Sequence, residues 1–291
     1  MKHFLSPREL SALLGVSESS IKRWTDDGLI SSSRTAGGHR RIAVTDALQF
    51  VRSQGLEMAQ TELLGLPALR GEHRHLEAAI KESLLSGDRP TLERLLVDQY
   101  ASGASIAALC DGPLRQSFQD IGDLWQHQDD GIFIEHRAVD CCLQALTTLR
   151  GVLPSPPSEA PQAVGGAPSN DPYLLPSIIA SLVLLAEGWR TVNLGPNTPW
   201  QTLITAAQHL HPTLIWVTVS APVAADIAAG WKDCHTALSS HGVRCAVGGR
   251  HAEDILGHHH ENCLRPQTMV ELVAQAQKIR DQSLERVESQ A

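Results

Sequence analysis

The sequence lacks any apolar run of the ~20 residues that a helix needs to cross a bilayer, so no membrane partner is expected. Its first residues, MKHFLSPREL, contain no apolar signal core; no secretory leader is expected, and the cytoplasm is the expected compartment. The six cysteines, at 110, 141, 142, 234, 245 and 263, include no C-x-x-C pair. That argues against a zinc ribbon or a thioredoxin-type site and predicts reduced thiols. Cys141 and Cys142 are adjacent, so they face different sides of a helix and suit packing better than ligation. What is present describes a globular protein: 42% apolar and 19% charged residues over 291 positions, long enough for two or three domains.

Charge is uneven. Residues 1–55 carry eight Lys and Arg against five Asp and Glu, an excess of three positive charges, whereas the remainder carries an excess of eleven negative ones. A basic head on an acidic body assigns contact with a polyanion to the head alone. The head's stretch LSPRELSALLGVSESSIKRWTDDGLI has the pattern of a helix-turn-helix. Ser6 is an expected N-cap, with Pro7 at the first helical position and Glu9 completing a capping box. Leu10, Leu13 and Leu14 recur at helical spacing, and Gly15 supplies a left-handed stop. Ser17 caps a second helix that turns Ile21 and Trp24 to the core and leaves Ser19, Ser20, Lys22 and Arg23 for solvent or a major groove. In SSSRTAGGHRRIAVTDALQFV, Gly37 and Gly38 permit a tight hairpin tip, and His39, Arg40 and Arg41 offer donors to phosphate oxygens. A small helical domain with an ordinary basic loop is the alternative; the ordered set of features favours double-stranded DNA.

Residues 1–71 resemble the DNA-binding domain of the MerR family of transcriptional regulators, through Ser6 to Leu14, Ser17 to Trp24, DDGLI and the wing TAGGHRRI. The resemblance implies that Lys22 and Arg23 lie on the recognition helix, that Arg34, His39, Arg40 and Arg41 belong to the wing, and that the protein binds inverted repeats as a homo-oligomer, dimer or tetramer.

Residues 72–153 are helical in pattern throughout, and four segments with short joints predict a four-helix bundle. Trp125 is followed after nine residues by Glu135 and His136, across the break DDG. A helix end and the first turns of the next helix bring such residues to one end of a bundle, where indole, carboxylate and imidazole could cap a flat ligand. A core Trp beside an exposed Glu-His pair is the alternative. His127 is a spare ligand candidate near the same place.

LPSPPSEAPQ cannot hold a helix and reads as a linker, with a weak first strand, QAVGGA, inside residues 154–167. Strands RTVNLG, LIWVTVS, RCAVGG and a last one at ENCLR then alternate with helices near 174–187, 199–210, 222–240 and 268–285. Over residues 168–291 that alternation predicts a Rossmann-like, doubly wound parallel sheet, which binds ligands outside the carboxyl ends of its strands. Those ends carry Gly195 with Asn197, Ser220, and Gly248 with Gly249. GHHHENC with His251 reads as a loop, because three consecutive histidines do not share a ligand face, and no metal site is expected. The terminal QKIRDQSLERVESQA reads as a charged, solvated helix.

A bundle with Trp-x9-Glu-His followed by this sheet resembles the cobalamin-binding domains of methionine synthase and corrinoid proteins. With the head, the chain resembles the light-responsive, adenosylcobalamin-binding repressors of the MerR family. The stretch AEGWRTVNLGPNTP, Ser220 and the pair Gly248–Gly249 carry this likeness, which implies that Trp125, Glu135 and His136 cover the upper corrin face. The family signature is Asp-x-His-x-x-Gly, whose His ligates cobalt, whose Asp orients the His, and whose Gly leaves room for the displaced nucleotide tail. Here the stretch reads Asp171-Pro172-Tyr173-Leu174-Leu175-Pro176. Neutral imidazole is available near pH 7, whereas a phenol of pKa about 10 must first lose its proton. Pro176 puts a ring where the signature has a bare backbone. Three outcomes follow: cobalamin held without a protein lower ligand, another planar cofactor such as haem or a bilin, or an empty scaffold for protein interaction. No enzymatic activity is expected, since a corrinoid-dependent methyl carrier has no use for a winged head.

Overall fold

The computed structural model describes residues 2–66, 76–125, 130–257 and 263–288, with backbone alone for Leu124, Trp125 and residues 283–288. The chain divides into two compact units, Met1–Pro154 and Ser155–Ala291. The expected boundary between residues 71 and 72 lies outside the described residues, as do His127 and His258 to His260.

In the first unit, α1 (Pro7–Leu14) starts at a complete capping box. The Glu9 N–H donates to Ser6 Oγ at 3.2 Å, and the Ser6 N–H donates to Glu9 Oε2 at 2.8 Å. Gly15, at φ 63°, ends the helix in the left-handed conformation that a Cβ disfavours. Helix α2 (Glu18–Asp26) is capped by Ser17 Oγ, which accepts from the Ser20 N–H at 3.1 Å. Short strands β1 (Phe4–Leu5), β2 (Ser33–Arg34) and β3 (Arg40–Ala43) form an antiparallel sheet in the order β1-β3-β2. Helix α3 (Val44–Gln54) closes the head over Leu10, Leu13, Ile21, Ile42 and Leu48, all fully buried, while Trp24 packs on Phe50 with ring centroids 5.1 Å apart.

The bundle consists of α4 (Leu76–Ser86), α5 (Arg89–Ala101), a run made of α6 (Ile106–Leu109), one π-turn (Cys110–Leu114) and α7 (Arg115–Trp125), and α8 (Gly131–Arg150). The π-turn coincides with Pro113, which has no N–H to give the helix ladder. Two arginines join head to bundle. Arg52 Nη1 donates to the carbonyls of Tyr100 and Ala104 at 2.7 and 2.8 Å, with its guanidinium 4.8 Å over the Tyr100 ring. Buried Arg94 donates to Asp98 at 2.6 Å and lies 3.9 Å from Glu62. Burial pushes the Asp98 carboxyl above its usual range, with Arg94 opposing the shift.

The second unit is a five-stranded sheet in the order β5-β4-β6-β7-β8, every pair parallel. Its strands are β4 (Gln162–Pro168), β5 (Arg190–Thr198), β6 (Leu214–Thr218), β7 (Arg244–Gly248) and β8 (Cys263–Leu264). Helices α9 (Leu175–Ala186), α10 (Trp200–Leu210), α11 (Ala225–Ser240), α12 (Ala252–Leu256) and α13 (Met269–Glu288) complete it. In this doubly wound order the winding of successive strands reverses between β4 and β6, the point at which such sheets bind ligands. The weakly signalled strand QAVGGA is thus paired on both sides. Its glycines fit where side chains cannot: a Cβ at Gly165 would stand 2.2 Å from the Trp216 carbonyl, and one at Gly166 2.7 Å from that of Gly195.

Two outcomes follow. Gly165→Ala overpacks the sheet centre and lowers stability by about 1–3 kcal/mol, read by denaturant unfolding. In the head, Lys2 and the Ser6 N–H hold the Glu9 carboxyl down to about 2. A depressed carboxylate stabilises fully above its unfolded value near 4.5, and this contribution is lost as pH falls towards 2. Glu9→Gln therefore flattens that part of the pH–stability curve of the full chain.

Candidate functional sites

The head presents its polar face around α2 and the wing. Ser19, Lys22 and Arg23 are exposed on α2, Ser20 is half-buried beside its cap, and Lys22 pairs with Glu18 at 3.0 Å. The wing's tip is a tight turn in which the Gly38 N–H donates to Thr35 O at 2.8 Å and the Thr35 N–H to His39 O at 2.9 Å. Arg34, His39 and Arg41 are exposed, with Arg41 stacked 4.2 Å over the Phe4 ring.

Arg40 differs from its neighbours. Its Nη1 donates to the Lys22 carbonyl at 3.0 Å and to Thr25 Oγ1 at 2.6 Å, and its Nη2 pairs with Asp26. The guanidinium expected to project at phosphate is turned inward and ties the wing to the last turn of α2. Thr25 and Asp26, which the sequence reading did not single out, are its partners. The signal was the strand alternation of β3, which puts Arg40 on the side of buried Ile42 and Arg41 on the other.

At the bundle end, α7 finishes at Trp125 and α8 begins at Gly131. Glu135 and His136 lie in the second turn of α8, 3.6 Å apart, and the imidazole is largely exposed with Nδ1 2.8 Å from the Ile132 carbonyl. The Trp125 side chain is outside the described residues.

At the reversal point of the sheet, Asp171 is 1% exposed. Its Oδ2 accepts from the N–H groups of Ser220 and Ala221 at 2.6 and 3.1 Å, and its Oδ1 accepts from the Tyr173 N–H at 3.0 Å. A single carboxylate therefore joins the loop after β4 to the backbone after β6. Asn170 and Asn197, both at positive φ, extend the joint to β5: the Asn170 N–H donates to Asn197 Oδ1 at 2.8 Å, and the Asn197 N–H to the Asp171 carbonyl at 3.1 Å. Gly249, at φ 115°, lies so near Val219 that a Cβ would fall 2.4 Å from its carbonyl, while the Val219 N–H donates to Gly248 O at 2.8 Å. Asp171, Ser220, Gly248 and Gly249 thus share one sheet edge. Tyr173 stands apart, half exposed at 50%.

Inside that edge, on the face covered by α9, a polar seam runs through the core. The Trp216 Nε1–H donates to Ser177 Oγ at 3.2 Å, Ser177 donates to Asn193 Oδ1 at 2.7 Å, and Ser181 donates to Thr191 Oγ1 at 3.1 Å. Trp216 is 1% exposed. Thr218, on the same face two residues on, is buried with its hydroxyl unpaired. The run LIWVTVS is apolar almost throughout, so nothing in its pattern sets these two apart. Burial pushes the Cys110, Cys234 and Cys263 thiols up to about 12 and Cys141 to about 11, which makes them unreactive packing groups near neutral pH.

Residues 6–42 match the family model described as MerR family regulatory protein, so the head is a MerR-type helix-turn-helix domain. The chain is 24% identical over 266 residues to the HTH-type transcriptional repressor CarA of Myxococcus xanthus, covering 86% of this chain and 88% of that protein. Among solved structures, the monomethylamine corrinoid protein of Methanosarcina barkeri superposes with a TM-score of 0.52 at 16% identity, covering 72% of this chain and 100% of that one. At that identity the likeness is one of fold: a Rossmann-like domain with a five-stranded parallel sheet. No described helix is long and apolar enough to cross a membrane.

Asp171→Ala leaves three backbone N–H groups at the sheet edge without their acceptor. The expected cost is at least about 2 kcal/mol in denaturant unfolding, with Asp171→Asn, which keeps one acceptor oxygen, losing less.

Proposed function

We propose that this protein is a DNA-binding transcriptional regulator, a repressor acting as a homo-oligomer, whose cobalamin-type module is regulatory and not catalytic. The observation that carries this reading is the joint made by Arg40, which ties the wing to the last turn of α2 and so supports reading Lys22 and Arg23 on the helix, with Arg34 and His39 on the wing, as exposed groups for one duplex, Arg41 lying on the other side of β3. Helix residues address base edges in a major groove, and wing guanidinium groups address the phosphates beside it. The repressor role follows the relative of that name, with which the chain aligns over most of its length. An oligomer places two such heads on an inverted repeat, and linked binding multiplies the affinity of each.

The module's donor set does not fit a corrinoid ligated from below by a protein side chain. The position that would face cobalt holds the half-exposed phenol of Tyr173, and Asp171 uses both carboxylate oxygens on backbone N–H groups. Half-buried Glu135 and exposed His136 remain as polar groups at the bundle end. A regulator whose module joins proteins without a cofactor is the form of the reading that these observations support.

Binding to promoter fragments from the protein's own genomic neighbourhood, followed by fluorescence anisotropy across a salt series, is the test. Arg34→Ala weakens binding and lowers the slope of log affinity against log salt by about one. Arg40→Ala acts on the joint, so it weakens binding while destabilising the head. Absence of salt-dependent binding to any such fragment overturns the reading.

A further inference from the structure

The resembled signature leaves room for a displaced nucleotide tail beside its Gly, the position that Pro176 holds here at the start of α9. In this protein that room would lie inside α9, under Pro176 and Ser177, over β4 and β6. Strand β4 contributes no side chain at Gly165, and Trp216 stands directly opposite it in the parallel ladder. The indole turns over that bare backbone: a Cβ at Gly165 would meet ring atoms at 2.3 and 2.5 Å. Its one polar atom is engaged by Ser177 of α9, which is itself fully buried and passes the bond to Asn193 of β5. The ring is thus held on three elements and is not free to swing out as a surface side chain would. Thr218 extends the filling by one strand position towards the edge, at 6% exposure. Pro176 precedes Ser177 in the first turn of α9 and is partly buried there.

We propose that Trp216, backed by Thr218 and Pro176, is an internal occupant of the ligand room in the C-terminal module. The module is closed to a corrinoid that carries a nucleotide tail, whichever residue stands at 173. With the room filled by protein, a lower ligand at position 173 has no group to hold, and its side chain faces solvent. The unpaired Thr218 hydroxyl marks where the filling is least satisfied. The proposal rests on reading this unit as a cobalamin-type domain, and it is independent of whether the head binds DNA.

The experiment incubates the full chain with adenosylcobalamin in the dark, desalts it, and reads the retained absorbance. Four proteins are compared: wild type, Tyr173→His, Tyr173→His with Pro176→Gly, and that pair with Trp216→Val. Folding of each is checked by circular dichroism and thermal melting. The expected result is no retained colour in the first three and recovered colour in the fourth. Retained colour in the wild type, or after Tyr173→His alone, overturns the proposal, because the room would then be open with Trp216 in place. A folded fourth variant that stays colourless also overturns it, by removing Trp216 as the closing residue. Should Trp216→Val fail to fold, Trp216→Leu takes its place with more of the volume retained. Promoter binding by the wild type is measured separately, so loss of the regulator reading and loss of this proposal give different results.

Discussion

Strand β4 runs inside the sheet, between β5 and β6, with no side chain at 165 and 166, and much of the second unit is arranged around that gap. On one face the gap lets the Trp216 indole lie against backbone; on the other it brings the Gly195 carbonyl and Thr198 within van der Waals range. Because Trp216 is fixed there, Ser177 has a hydrogen-bond donor to meet, and α9 is seated by a bond as well as by apolar contact. Asp171 then closes the same strand pair at its carboxyl end. A side chain restored at Gly165 would disturb the indole, the helix seat and the loop clasp together, which is why these features belong to one packing solution.

Much of the architecture could be read from the sequence, for physical reasons. The capping box at Ser6 and Glu9 is local chemistry, complete within four residues, and the structure contains both of its bonds. The alternation of strands and helices after the Pro/Ser-rich linker depends on periodicity, which a single chain displays openly. Strand β4 gave a weak signal because strand propensity is a property of side chains, and this strand's place is set by their absence. Helix α12, five residues long, was missed because so short a segment carries no periodic signature.

The candidate sites were less legible, since their chemistry depends on direction. Three basic residues in a row, His39, Arg40 and Arg41, look alike in composition, yet one is an internal tie and two face outward. Asp171 and Tyr173 are two residues apart in one loop, and the structure buries the first while exposing the second. Trp216 looked like one apolar residue in an apolar strand. Only the register that sets it opposite Gly165 shows what its ring fills.

Arg52 clasps the last carbonyls of α5 while stacking on Tyr100, and Arg94 reaches from α5 towards Glu62 beyond α3. A head held at two points on a rigid helix has surrendered much of its rotational freedom before it meets any partner. That loss of orientational entropy is incurred during folding and need not be incurred again on association, so a modest set of polar contacts can hold a duplex firmly. In the homo-oligomer proposed above, the same stiffness would make the pair of heads selective in geometry, because half-sites at the wrong separation would be reached only by bending the nucleic acid or straining the clasp.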